Sequence, residues 1–365
     1  MEARETCKGD RSGFPTVGLE HITPGEIRLS EYDVGSDNTF TKRFHEGDIL
    51  FGRRRAYLKK AAIAPFEGIC SGDITVIRAI QDKMEPRLLP FVIQNDDFFD
   101  FAVGRSAGSL SPRVKWEHLK TYSFELPEMD KQRELADVLW AIEDTRAAYQ
   151  ELAVAMEELV KSQFVELFGD LRTNSKKWMT RPLGELCSIY RGGSPRPITQ
   201  FLGGDVPWIK IRDATKGDSI YLHGTSEHIK REGVSKSRMV KNGSLIFANC
   251  GVSLGFARIT TFDGCIHDGW LSLEDVAPSL DKVFLLLSLN QMTEDFRMRA
   301  PTGTQPNLNT AIMKAHQQIL PPLLLQQQYV SFIQQIDKSK LVLRQLLEKQ
   351  QTLKAALMQE YFAVH

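Results

Sequence analysis

The chain is written twice. Glu46–Phe51 (EGDILF) aligns with Asn242–Phe247 (NGSLIF), an offset of 196 from Glu46 to Asn242. The same offset sets Phe66-Glu67-Gly68 on Phe262-Asp263-Gly264. Upstream, FPTVGLEHI (14–22) meets VPWIKIRDA (206–214) at a slightly smaller offset. Downstream, ELPEMDKQ (125–132) meets ILPPLLLQ (319–326), pairing Pro127 with Pro321 and Gln132 with Gln326. Each match is weak alone, but their common order and near-constant offset make chance a poor explanation. Each copy is long enough to bury a core of its own.

Within each copy a globular part precedes a segment of another kind. The globular parts carry short β-branched or aromatic runs (Asp48–Phe51, Ile74–Ile77, Ser244–Phe247, Phe256–Thr261) between Gly-, Pro- and Asp-containing turns, a mixed α/β pattern. One helix per copy is predicted, near Pro86–Ala102 and Leu280–Met298. The trailing segments read as long helices. Leu135, Ile142, Tyr149 and Met156 recur every seven residues, with Val138, Leu152 and Leu159 three positions after three of them. The second has Tyr329, Ile336, Leu343 and Leu357, with Phe332, Leu346 and Leu353. Neither Pro nor Gly interrupts Glu128–Phe168 or Leu323–Phe362.

Charge favours pairing these helices with each other. Residues 128–168 hold ten acids and four bases, whereas 322–365 hold three acids and five bases. A seam of Leu135, Ile142, Tyr149 and Met156 against Ile336, Leu343, Leu346 and Leu353 is therefore expected; a homodimeric coiled coil is the alternative. The predicted fold class is α+β: two mixed α/β domains separated by two long antiparallel helices forming a coiled coil, with a pseudo-two-fold internal repeat. The boundaries are 1–127, 128–168, 169–321 and 322–365, the first domain being N-terminally incomplete. With Phe14-Pro15 on Val206-Pro207, Met1 falls opposite Gly193, so a counterpart of Trp178–Gly192 is missing and Lys8, Arg11 and their neighbours are expected to be disordered.

The overall composition is that of a soluble globular chain, 42% hydrophobic and 25% charged. No apolar run is long enough to span a bilayer and the N-terminus lacks a signal peptide's apolar segment, so a cytoplasmic location is expected. Five scattered cysteines without a CxxC pair read as reduced thiols. A zinc site from Cys250, Cys265 and His267 has no usual ligand spacing, and no metal or cofactor is expected in this chain.

Net charge is zero, but it is unevenly spread. GRRRAYLKK (52–60) places five positive charges and one aromatic ring in nine residues directly after the predicted strand DILF. Arg53, Arg54, Arg55 and Lys59 suit phosphates or guanine edges, and Tyr57 suits stacking or sugar contact. The matching FANCGVSLGF (247–256) is uncharged, with Asn249 and Ser253 as candidate hydrogen-bonding groups. Two polar stretches, GRSAGSLSPRVK (104–115) and RAPTGTQPNLN (299–309), add Arg105, Arg113, Gln305 and Asn307. Arg196, Lys210 and Arg212 complete the DNA-binding candidates.

These residues resemble a known family, the specificity subunits of type I restriction–modification systems. The resemblance rests on W-x4-LGELC-x4-GGSP (Trp178 to Pro195), then DVPWIKIRD (205–213), KNGSLIFA and TGTQPNLN-x11-PPLLLQQ, in that order, and on the two-domain, two-helix layout. It implies a sequence-specific DNA-binding subunit whose domains each read half of a bipartite target in double-stranded DNA. Its helices would fix the unread spacer and dock two methyltransferase subunits, joined by motor–nuclease subunits. S-adenosylmethionine, ATP and magnesium would then sit on those partners, with no catalytic residue here. In agreement, the sequence contains no GxxxxGK[ST], no HExxH and no Asn/Asp-Pro-Pro-aromatic motif. The competing readings are an assembly scaffold that does not touch DNA, and a nuclease or methyltransferase with an unrecognised site, for which Asp263, His267 and Asp268 are the nearest cluster.

Overall fold

In this computed structural model, the described residues are 1–9, 13–35, 39–80, 82–217, 219–251, 253–300 and 307–362. The chain divides into two compact units, Met1–Ala153 with Leu341–His365, and Val154–Lys340. Both are mixed α/β.

In the first unit Ile49–Gly52 lies between Ala61–Ile63 and Ile74–Ile77 in an antiparallel three-stranded sheet. Its side chains alternate between two cores. Ile49 and Phe51 join the helical core with Leu88, Phe91 and Phe98. Leu50, Ala62 and Val76 join a second core with Val17 and Phe44. Burial on both faces explains why the strand is a continuous apolar run without polar alternation. The second core is closed by a five-stranded sheet in the order Glu5–Thr6, Lys42–Phe44, Gly68–Cys70, Pro15–Val17, Asp33–Val34.

The second unit repeats this. Leu245–Ala248 lies between Ala257–Thr260 and Trp270–Glu274, with Leu245 and Phe247 in one core and Ile246 and Ala248 in another. The matching four-stranded sheet contains Leu202–Ile209 parallel to Gly264–Ile266, as Pro15–Val17 runs parallel to Gly68–Cys70. Ile49 faces Ile77 as Leu245 faces Leu273, so the offset of 196 holds in strand register as well as in sequence.

Each predicted short helix is two helices. Asn95, extended at ψ 142°, divides Leu89–Gln94 from Asp96–Gly104; Met292 divides Lys282–Gln291 from Thr293–Arg299. Asparagine competes poorly for a helix interior and suits a helix start, where Asp96 and Asp97 meet the positive end of the dipole. The long helices are uninterrupted, Met129–Phe168 and Leu323–Phe362.

These two helices pair antiparallel within each unit. In the first, Leu135, Ala136 and Leu139 share a core with Met358 and Phe362, and Lys354 reaches Glu143 at 2.5 Å. In the second, Phe164 and Phe168 pack on Tyr329, whose hydroxyl donates to the Val160 carbonyl (3.1 Å), and Lys340 meets Glu157 at 3.5 Å.

The seam departs from the predicted one in phase. Leu135, Ile142 and Leu343 are buried, and Tyr149, Met156, Ile336 and Leu346 are half-buried. Leu353 is 50% exposed, and Val138, Leu152 and Leu159 are similarly exposed. The residues four positions after each heptad leader face inward instead, Leu139 and Ala153 among them. On the second helix the half-buried Gln350 and Lys354 occupy the seam beside Leu347 and Met358. A polar pair seated where an apolar residue is expected shifted the apparent register.

Pro127/Pro321 and Gln132/Gln326 mark a repeated joint. The Gln132 side chain accepts from the Glu85 amide (3.0 Å) and donates to the Pro127 carbonyl (2.8 Å). Gln326 accepts from Asp281 N (2.8 Å) and donates to the carbonyls of Pro321 (2.8 Å) and Ser279 (3.1 Å). Each glutamine ties the start of a long helix to the start of a short one.

The N-terminal alignment needs correction. Glu2 bridges Ile77, and the Ala3 amide donates to Val76 O. In the second unit Ile189 faces Leu273 and Ser188 faces Glu274. Met1 therefore stands at the position of Ser188, not Gly193. The sequence match missed this because residues 1–6 share only one identity with 188–193, Arg4 with Arg191, and the connections that follow differ in length. Lys8 is described; Arg11 lies outside the described residues.

His316 supplies a pH-dependent term in the second unit. Burial pushes its imidazole down to about 4. A folded-state value below the unfolded one means that protons bind the unfolded chain first, so stability is full above about pH 6.5 and falls as pH drops toward 4. At ~1.4 kcal/mol per pH unit the loss reaches about 3 kcal/mol. Urea unfolding monitored at pH 7 and pH 4 is expected to show this loss in the wild-type chain and a smaller one in His316→Phe.

Candidate nucleic-acid interface

Most of the candidate residues gather at one place in each unit, the turn after the central strand; Lys210 and Arg212 lie elsewhere. In the first unit this turn, Arg53–Lys60, receives the polar stretch 104–115 beside it. Arg54 and Arg113 bridge as neighbouring backbones, the Val114 amide donates to Arg53 O (3.0 Å), and the Arg55 amide donates to Pro112 O (2.7 Å). In the second unit Cys250 bridges Asn307, and Leu308 N donates to Asn249 O (2.7 Å). The Arg53 amide bonds Asp73 O as the Asn249 amide bonds Gly269 O. The two sites therefore match residue by residue: Arg53 with Asn249, Arg54 with Cys250, Tyr57 with Ser253, and Arg113 with Asn307.

The same backbone is built differently. At the two turning points Arg55 and Lys59 adopt left-handed φ values of 54° and 51°. Their counterparts are Gly251 (φ 80°) and Gly255 (φ 97°). A side chain in that conformation costs on the order of 1 kcal/mol, which glycine avoids. The first unit carries this cost twice while keeping two long cations at the apex. Observed strain of this kind points to a use for the side chains.

The cations differ in freedom. Arg54 and Arg113 both reach Asp73, at 3.3 and 2.7 Å, and Arg54 also donates to Ser111 Oγ (3.1 Å). Arg113's hydrogen bond, ahead of Arg54's, holds the Asp73 carboxyl below its usual range. Lys59 pairs with Asp96 (2.5 Å). Arg55 is exposed and has no ion pair among the described residues, Tyr57 is 53% exposed, and Arg105 lies 3.7 Å over the Phe101 ring. Arg53 is half-buried. Asp73, the acid that aligns the two arginines, was not singled out from the sequence; its signal is an acid standing where the repeat has Gly269.

In the second unit Asn249 is fully buried and its amide donates to Asn307 Oδ1 (3.1 Å). It shapes the turn from inside and is not placed to touch a duplex, a correction to its candidacy. Ser253 and Asn307 are half-buried, and Gln305 lies outside the described residues. Lys210 and Arg212 converge on Glu227, Lys210 at 2.7 Å, and hold that carboxyl below its usual range. Arg196 is 76% exposed, 3.7 Å from Asp268.

The acids and histidine weighed for catalysis are dispersed. Asp263 pairs with Lys241 (2.8 Å), His267 Nδ1 accepts from Gly269 N (2.8 Å), and Asp268 accepts from Ser194 Oγ (2.7 Å). Among the described residues no group of three His, Cys, Asp or Glu is arranged to hold a metal ion, and no helix is long and apolar enough to cross a membrane.

The chain is thus an internal duplication, two α/β units with matched strand-end turns of unlike chemistry and a shared pair of long helices. The family model for the type I restriction modification DNA specificity domain matches residues 9–153 and 175–354, and the chain belongs to that family. The specificity subunit of the Escherichia coli type I restriction enzyme EcoDI is 26% identical over 136 residues, 34% of this chain and 30% of that protein. The match thus spans less than a third of this curated relative. Among solved structures, a chain from an assembled type I restriction–modification system aligns over 99% of this chain and 97% of its own, with 21% identity and a TM-score of 0.63. The type I S subunit from M. genitalium aligns over 100% and 94%, with 13% identity and a TM-score of 0.60. These structures share the fold.

Proposed function

We propose that the chain is the non-catalytic specificity subunit of a cytoplasmic type I restriction–modification complex, each unit reading one half of a bipartite target in double-stranded DNA. The observation that carries this is the pair of matched turns. One backbone site, built twice, presents arginines and a tyrosine in the first unit and short neutral groups in the second. Two readers of different half-sites need this combination of shared frame and divergent side chains. Arg53, Arg55, Tyr57 and Arg105 are the foremost contacts in the first unit, and Ser253, Asn307 and Arg196 in the second. Methylation and cleavage belong to two methyltransferase subunits and the motor–nuclease subunits, which would hold S-adenosylmethionine, ATP and magnesium. Exposed apolar side chains on the long helices, Val138 and Leu152 in the first unit and Val154 and Leu159 in the second, suit such partners.

Co-expression with the cognate methyltransferase subunit, followed by mapping of adenine methylation across a genome, tests the reading. A split motif is expected. Exchanging residues 170–320 for the same region of a relative should change one half of that motif. A change in both halves, or in neither, overturns the two-reader proposal.

A further inference from the structure

We propose that the apolar groove beside Met1 in the first unit is a docking site for a strand-and-turn peptide with the chemistry of Thr180–Cys187. The groove has a volume of about 550 Å3 and is lined by Leu89, Ile93, Leu119, Tyr122 and Phe124 among others. No described residue fills it.

The repeat shows what seats there. In the second unit Thr180–Pro182 pairs antiparallel with Gln317–Ile319, and the following turn of helix, Leu183–Leu186, buries both leucines fully. Leu183 and Leu186 share a core with Leu285, Leu289 and Met313. At the repeat's offsets those three correspond to Leu89, Ile93 and Leu119, three walls of the groove. The Leu183 amide donates to His316 O (2.8 Å), at the position of Tyr122. A Cβ on Gly184 would come within 2.9 Å of Lys314 Cβ, so glycine alone fits there; Lys120, which lines the groove, is the counterpart of Lys314.

The backbone tells the same story. Ser123–Leu126 belongs to no helix or strand, and its four amides donate to no described residue. Its counterpart in the second unit is the strand paired with Thr180–Pro182. An open edge beside an apolar groove is the arrangement by which sheets add a strand from elsewhere, with main-chain bonds supplying affinity and pockets supplying specificity. The register also fixes the direction of entry. Met1 stands where Ser188 stands, so a segment ending in a Cys187 equivalent, joined directly ahead of Met1, enters the groove without a linker. This inference is independent of what the two units read.

The test fuses the ten residues WMTRPLGELC, copied from 178–187, directly ahead of Met1 of the full chain. A second version has aspartate at the two positions copied from Leu183 and Leu186. Hydrogen exchange at the amides of Phe124 and Leu126, the counterparts of Gln318 and Leu320 on the side that faces the added strand, is the readout, with the same free peptides added to the unmodified chain as a parallel format. The apolar segment is expected to slow exchange at these amides at least about tenfold, in cis or in trans, and the aspartate version to leave it unchanged. Unchanged exchange in both formats, or equal slowing by both peptides, overturns the proposal.

Discussion

Replacing Arg55 and Lys59 together by glycine is expected to lower affinity for the target duplex by at least about tenfold without weakening the fold. The two substitutions give the first unit the residues that the second already has at these turning points, Gly251 and Gly255. Relief of two left-handed side chains offsets the entropy that glycine adds to the unfolded chain, so stability should stay level or rise by up to about 1 kcal/mol. The loss falls on binding. Arg55 is exposed and unpaired among the described residues, and each phosphate contact given up flattens the salt dependence of log K by about 0.9. Lys59 contributes less, because Asp96 already holds it. Fluorescence anisotropy across a salt series, with thermal melts on the same samples, separates the two effects. An unchanged salt slope would remove this turn from the interface. A lost fold with binding intact would make the strain structural.

How much of this was legible in the sequence depends on whether the signal was local or relational. The repeat was visible because Gly68 and Gly264, and the two proline–glutamine joints, occupy places where the backbone tolerates little else: a Cβ on Gly68 would meet the Pro15 carbonyl at 2.5 Å. The long helices were visible because nothing breaks them over forty residues. Hidden were features set by partners distant in sequence. Asp73 is unremarkable until Arg54 and Arg113 are brought onto it from either side. Asn249 looked like a base reader by type, and only the strand end that buries it shows that it holds Asn307. Met1–Thr6 shares a single arginine with 188–193, too little to align them, yet hydrogen-bond register gives it the same place. The seam was misphased for a related reason: hydrophobic spacing cannot anticipate Gln350 and Lys354 at the seam, the latter in a buried ion pair with Glu143.

That ion pair is where a single substitution should hurt the fold most. Glu143 is 2% exposed and takes Lys354 at 2.5 Å and Arg146 at 3.0 Å; Arg146 also reaches Glu26 at 2.8 Å. Glu143→Ala leaves Lys354, itself mostly covered, facing the helix seam without its counter-charge. Breaking a buried pair from one side costs about 3 kcal/mol or more, since the remaining charge has lost both water and partner. For a unit of this size that corresponds to a fall in Tm of roughly 6–12 °C. Removing both charges is a different experiment. In Glu143→Leu with Lys354→Leu, two apolar side chains meet beside Ile142 and Met358, Arg146 keeps Glu26, and most of the loss should be recovered, because a buried pair is often no better than the apolar contact that replaces it. If so, the pair contributes register more than stability: it fixes which turn of one helix faces which turn of the other, a choice that leucines alone leave open. Calorimetric melts of the single and double variants decide the matter. A double variant as unstable as Glu143→Ala would make the pair a source of stability in its own right, and a stable single variant would mean that water already reaches Lys354.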